Sequence, residues 1–286
     1  TCQVASLVTA SLEDLGDQVA VLADGVEAGE IAGIHLEGPW LSPKYKGAHT
    51  ESLLRDPSVA DIAAVVARSR QTVVMVTIAP EKPGAMESIN YMAGNAIMAA
   101  VGHTAADFDQ TVAAIAAGAR GTTHLFNAMP DLLHRAPGPG LALWRDPSVW
   151  VELVFDGVHV HPMLAGHVMN TKPDKVVLIT DAMAAAAFAD GDYTLGGLAV
   201  EVRDSIAHIA GTQTIAGSTL TLDRAVRTAI NAGVDPNLAL QAATANPADY
   251  LSLTGVGRIA AGNWADLVAL DANWQVSAVM RHGAWL

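Results

Sequence analysis

Five apolar runs in this 286-residue chain stop on side chains that can bind a metal or move a proton. The first is Gly33-Ile34-His35-Leu36, which ends at Glu37 and turns at once through Gly38-Pro39. The others end at His103, at His124 with Asn127, at Asp156 to His159, and at Asp181. A buried strand that stops on a polar residue delivers it to the C-terminal mouth of a parallel barrel. One carboxylate and two imidazoles, Glu37, His103 and His124, suit a catalytic divalent ion that keeps one coordination position open, with zinc favoured. A carboxylate beside such an ion, here Asp181, can take a proton from water and give it to a leaving group. A single buried histidine is more often a hydrogen-bonded core residue. Five strand ends of the same kind argue for one shared site instead.

Other polar residues fit less sharply. His159-Val160-His161 is a His-x-His pair, but its place just before Pro162 favours substrate contact for His159 and gives His161 no role. Arg135 lies in the Pro- and Gly-rich loop 129–140, where it could fork onto a phosphate or simply sit in solvent. Ala216-Gly217-Ser218-Thr219 is a weak anion-binding pattern and reads as a wall of the site. His167, His208 and His282 read as structural or surface residues.

The elements that must position these residues alternate. Strands are expected to begin near Gln3, Ile31, Thr72, Ala96, Gly121, Trp150 and Lys175, with the fifth running to Phe126. Between them lie amphipathic stretches with helix-start signals, such as Ser11 before Glu13-Asp14, and Thr104 to Asp107 before Phe108. Buried strands alternating with helices mean a parallel sheet. Functional residues at strand ends around the whole series favour a (β/α)8 TIM-like barrel whose first strand lies upstream of Thr1, over an open doubly wound sheet. Residues 1–254 form the barrel unit, with a β-hairpin insertion at 191–211. Residues 255–286 read as short alternating strands, including Gly257 to Ile259, that form part of a small β-sandwich. Asp235-Pro236 and Asn246-Pro247 both read as helix caps with Pro in the first turn.

Composition narrows the function. Apolar residues make up 51% and charged residues 16%, so the chain is globular. The net charge of −13 argues against a nucleic-acid or anionic-membrane surface. It leaves room for a small phosphorylated ligand held by a few local cations. No apolar run is long enough to span a bilayer, and no signal-peptide pattern is visible. A single cysteine, Cys2, fits a reducing, cytoplasmic setting.

These motifs in this order resemble the N-acetylglucosamine-6-phosphate deacetylase family of the amidohydrolase superfamily. The similarity is carried by His35-Leu36-Glu37-Gly38-Pro39, Gly102-His103-Thr104, Thr123 to Met129, Asp156-Gly157-Val158-His159, Thr180-Asp181-Ala182-Met183 and Ala216-Gly217-Ser218. The closing segment Gly262-Asn263-Trp264-Ala265-Asp266 is similar as well. The resemblance implies hydrolysis of the acetamide of N-acetylglucosamine 6-phosphate, giving acetate and glucosamine 6-phosphate for amino-sugar catabolism and cell-wall recycling. It implies Glu37, His103 and His124 as metal ligands and Asp181 as general base, then acid. His49 would contact the sugar and polarise the acetyl carbonyl, Asn127 and Ala128 would contact the phosphosugar, and Arg135 and His159 would hold the 6-phosphate. One such contact can come across a homodimer interface. The family also carries a His-x-His or a substituted version on a first strand ahead of the segment matching Thr1, so one metal is expected here and a second is not.

Two alternatives stand beside this reading. A dihydroorotase-like or amino-acid-deacylase centre would bridge two metals with a carboxylated lysine, but no strand ends in a suitable Lys and Glu37 fills that place. A catalytically inactive barrel acting as a binding subunit would keep metal without turnover.

Overall fold

A computed structural model describes residues 1–286. The main sheet has seven parallel strands paired in chain order: β1 (Val4–Val8), β2 (Gly33–Glu37), β3 (Val73–Ile78), β4 (Met98–Val101), β5 (Gly121–Thr122), β6 (Trp150–Val154) and β7 (Val176–Ile179). The intervening helices are α1 (Leu12–Glu27), α2 (Val59–Arg68), α3 (Ala85–Gly94), α4 (Phe108–Ala117), α5 (Gly138–Arg145) and α6 (Pro162–Thr171). After β7 comes an antiparallel sheet of β8 (Gly191–Leu195), β9 (Leu198–Arg203) and β10 (Ile206–Ile209). Helices α7 (Leu222–Asn231), α8 (Pro236–Ala243) and α9 (Ala245–Tyr250) follow. A second small antiparallel sheet closes the chain, with β11 (Leu267–Leu270), β12 (Val276–Arg281) and β13 (Ala284–Trp285).

Strands β3, β6 and β7 form where the sequence is largely apolar because both faces are covered, one by helices and one by the interior of the half-barrel sheet. All residues of β2 and β6 are buried. A core of 40 buried residues joins these strands to the inward faces of the helices. The helix starts are specified locally. The Ser11 side chain accepts from the Asp14 amide, and Asp107 and Gln110 make a reciprocal capping box.

Four local expectations are corrected. The fifth strand stops at Thr122, and the backbone of His124, Phe126 and Ala128 turns into the left-handed region, which ends ladder pairing. Helix α5 begins at Gly138, inside the segment read as loop. Asn246 does not cap a helix; its side-chain amide donates to the carbonyls of Pro173 and Val176, tying α9 to the edge of β7. Residues 257–259 form no strand.

Candidate metal centre

Register brings the candidate ligands together. Val8 of β1 pairs with Glu37 of β2, and Glu37 with Thr77 of β3, so the β2 carboxylate emerges at the sheet's C-terminal edge. His103 lies two residues past β4 and His124 two past β5, both with positive φ (45° and 32°). Such backbone is costly for a side-chain-bearing residue and is held only where the surroundings fix it, commonly at functional sites. Glu37, His103 and His124 are buried, and their donor atoms lie within 4.8 Å of one another. Glu37 Oε1 is 3.1 Å from His103 Nε2 and 3.0 Å from His124 Nε2, and the two ring nitrogens are 3.0 Å apart.

That arrangement fits a cation. His103 Nδ1 lies 2.8 Å from the Tyr45 carbonyl, which can only accept, so Nδ1 carries the proton and Nε2 of the neutral ring carries a lone pair. This lone pair then faces the Glu37 oxygen and the second imidazole. Three lone-pair atoms facing one another are stabilised by a positive charge among them. Neighbouring ligands of one tetrahedral zinc sit about 3.3 Å apart for bonds of 2.0–2.1 Å, close to these spacings. The Tyr45 carbonyl supplies the outer-shell orientation that ligating histidines usually have.

Without a cation, a proton takes its place. Burial alone would raise the Glu37 carboxyl, but the His103 and His124 rings set against it outweigh burial and hold the group well below its usual range. Burial lowers His124, but the Glu37 hydrogen bond and charge raise it to about 9.

Asp181 follows β7 through Thr180, with φ 49°. Its backbone is clamped by the segment read as a wall of the site. The Ser218 amide donates to the Asp181 carbonyl at 2.7 Å, and the Ser218 hydroxyl donates to the Thr180 carbonyl. That amide is therefore engaged and cannot bind an anion. The Asp181 side chain is 28% exposed at the mouth. Burial and the neighbouring Glu37 charge raise its carboxyl to about 6. His159 Nε2 lies 4.0 Å from Asp181 Oδ2. Its Nδ1 donates to Asp156 at 2.7 Å, and the other Asp156 oxygen accepts the amides of Val158 and His159. Asp156 thus orients the ring.

His49 is buried beside the cluster, its ring edge-on to His103 with centroids 4.6 Å apart. Burial and the nearby His103 lower it to about 3, so it is neutral. Below the cluster, His35 bridges Ser6 at 3.0 Å and Thr77 at 2.8 Å, and Thr77 continues to Thr123 at 2.7 Å. The Asn127 amide nitrogen donates to the carbonyls of His124 and Leu125, and the Ala128 carbonyl accepts from the Thr104 amide. Arg135 is exposed on its loop and is not drawn into the cluster. His161 has a local task, accepting from the Met163 amide as the cap of α6. Sequence reading left Tyr45 and the His35 chain without roles, and it marked Asp156 only as a strand end and Ser218 only as part of a wall. His35 carried a signal, since it shares a face with Glu37 by the two-residue period of β2.

The fold and this centre define a class: residues 7–286 match the amidohydrolase family, and the chain belongs to it. Among solved structures, a mutant N-acetyl-D-glucosamine-6-phosphate deacetylase from Mycobacterium smegmatis, in complex with N-acetyl-D-glucosamine-6-phosphate, is 50% identical with a TM-score of 0.96. The match covers 99% of this chain and 75% of that one. An N-acetylgalactosamine-6-phosphate deacetylase of Escherichia coli O157:H7 is 38% identical over 282 residues, 96% of this chain and 74% of the relative. An N-acetylglucosamine-6-phosphate deacetylase of Vibrio furnissii is 35% identical over 284 residues, 96% of this chain and 70% of the relative.

Proposed function

We propose that this chain hydrolyses the acetamide of N-acetylglucosamine 6-phosphate to acetate and glucosamine 6-phosphate. The observation that carries the reading is the buried Glu37–His103–His124 cluster with Asp181 at its mouth, in a chain 50% identical to a deacetylase solved with that sugar phosphate. Glu37, His103 and His124 hold one divalent ion, for which the nitrogen and oxygen donors favour zinc. When bound, that ion polarises the acetyl oxygen and acidifies water. Asp181 takes the proton of the attacking water and returns it to the departing amine. Its raised carboxyl suits both directions near neutral pH. Neutral His49 contacts the sugar and polarises the acetyl carbonyl. Asn127 and Ala128 contact the phosphosugar.

Arg135 and His159 hold the 6-phosphate. The exposure of Arg135 suits a contact made across a homodimer interface. Residues 1–254 form the catalytic unit, and 255–286, with their own antiparallel sheet, form part of a small β domain. Closing the barrel would take one more strand between β7 and β1. No helix is long and apolar enough to cross a membrane, and we place the enzyme in the cytoplasm, where amino-sugar phosphates are recycled.

The test is acetate release by the zinc-loaded protein from N-acetylglucosamine 6-phosphate, its C4 epimer N-acetylgalactosamine 6-phosphate, and unphosphorylated N-acetylglucosamine. Turnover of the first well above the other two supports the reading. Equal turnover with and without phosphate removes the Arg135 and His159 assignment. Preference for the epimer transfers the substrate to the galacto sugar. No turnover by a folded, zinc-bound chain overturns the reading.

A further inference from the structure

His49 is anchored through one ring nitrogen only, and the groups that anchor it decide where its proton sits. The amide of Thr9 donates to His49 Nδ1 at 3.4 Å, and the Thr9 hydroxyl lies 2.8 Å from the same atom. A backbone amide can only donate, so Nδ1 presents a lone pair. The hydroxyl, at the shorter distance, donates to that lone pair as well, in preference to the Glu37 carbonyl 3.4 Å away. With Nδ1 accepting twice, the proton of the neutral ring is on Nε2. The other tautomer would set Nδ1–H against the Thr9 amide hydrogen.

The backbone is built to admit this contact. Thr9 follows β1, whose last residue Val8 pairs with Glu37, so Thr9 comes beside Gly38. A Cβ on Gly38 would stand 2.2 Å from the Thr9 hydroxyl oxygen, and Gly38 holds φ +94°. Only glycine leaves that space and adopts that backbone without strain. Thr9 and His49 are both buried, at 3% and 5% exposure, so water does not compete freely for the contact.

We infer that Thr9 is a positioning residue that fixes His49 as its Nε2–H tautomer, making His49 a neutral hydrogen-bond donor to the acyl oxygen of the substrate. The inference deepens the proposed function, because it rests on His49 facing the acetamide. A donor is what a carbonyl gaining negative charge requires; the opposite tautomer would turn a lone pair toward it.

The experiment is nitrogen-15 NMR of zinc-loaded protein labelled at histidine, with His49 assigned by the signal lost in His49→Gln, run beside steady-state kinetics. Thr9→Val removes the hydroxyl at nearly constant shape, and Thr9→Ser restores it. Wild-type His49 is expected to show a lone-pair-type Nδ1 and a protonated Nε2. In Thr9→Val the amide alone still faces Nδ1, at 3.4 Å, so the two resonances should move part of the way toward each other. The kcat should fall about tenfold or more, short of the roughly 100- to 1,000-fold for losing such a donor outright, with KM within about twofold. Thr9→Ser should recover both. A protonated Nδ1 in the wild type overturns the inference, as does a Thr9→Val protein that keeps both tautomer and kcat. A shifted tautomer with unchanged kcat overturns the donor role. If Thr9→Val does not fold, the wild-type spectrum and Thr9→Ser still decide. Failure of the deacetylase reading shows instead as absent turnover in the wild type, whatever its tautomer.

Discussion

Three of the candidate metal-binding and proton-transfer residues sit in backbone that ordinary residues avoid. His103, His124 and Asp181 all have φ between 32° and 49°. Each must leave a strand and turn inward at once, and the left-handed region does this in one residue. Asp181 is the residue whose protonation should govern rate. Its carboxyl is raised to about 6 by burial and by the Glu37 charge, and a base must be ionised. A cation held by Glu37, His103 and His124 lowers that value. So kcat/KM should fall as pH drops, with an apparent pKa at or below about 6. Asp181→Asn should cost on the order of 100- to 10,000-fold in kcat, the range for a lost general acid–base. An acid limb unchanged in the residual activity of Asp181→Asn would take the base's role from Asp181.

At the scale of elements, the strand ends are set by what is packed beyond them. The segment 216–218 is the example, since it runs parallel to residues 181–183 and bonds to both sides of Asp181. Gly217 makes that approach, with φ +65° and the position of a Cβ only 2.9 Å from the Asp181 carbonyl oxygen. Gly217→Ala should therefore push Asp181 out of place, lowering kcat by at least about tenfold and stability by about 1–3 kcal/mol, the usual range for a strained left-handed residue. Denaturant unfolding and steady-state kinetics check the pair. Wild-type values for both would show that the 216–218 segment is not a clamp.

For the whole molecule, an ion held by the Glu37–His103–His124 cluster would fasten strands far apart in sequence. The three residues leave β2, β4 and β5, and ligand binding to the native state alone adds stability, about 4 kcal/mol at a thousandfold excess over Kd. Chelation should lower the melting temperature measured by calorimetry. The size of that drop should depend on pH with a definite sign. Burial lowers His124, but pairing with Glu37 raises it to about 9 in the absence of a cation, so below that pH an incoming metal must displace a proton. The gap between loaded and stripped protein should narrow as pH falls from about 9 toward about 6. A gap independent of pH would mean that the ion does not bind through His124.

Much of this was legible along the chain. Glu37, His103, His124 and Asp181 stand out because an apolar run of strand length stops at each, and strand direction then forces a common mouth. The helix caps at Ser11 and Asp107 are equally local, since a cap reaches only three residues ahead. What the sequence by itself determined was the alternating architecture, the kind of ions and protons the chain could handle, and the strand ends that carry side chains suited to them. The tertiary structure decided the rest. It brought Thr9 onto His49 across 40 residues and the Tyr45 carbonyl onto His103 across 58. It also set Ser218 behind Asp181 and ended β5 two residues before His124. Those contacts leave no pattern along the chain because each depends on register between separate strands and on the space that a residue such as Gly38 leaves open. The sequence marks the candidate ligands by where apolar runs stop, and only packing in three dimensions sets what each ring nitrogen faces.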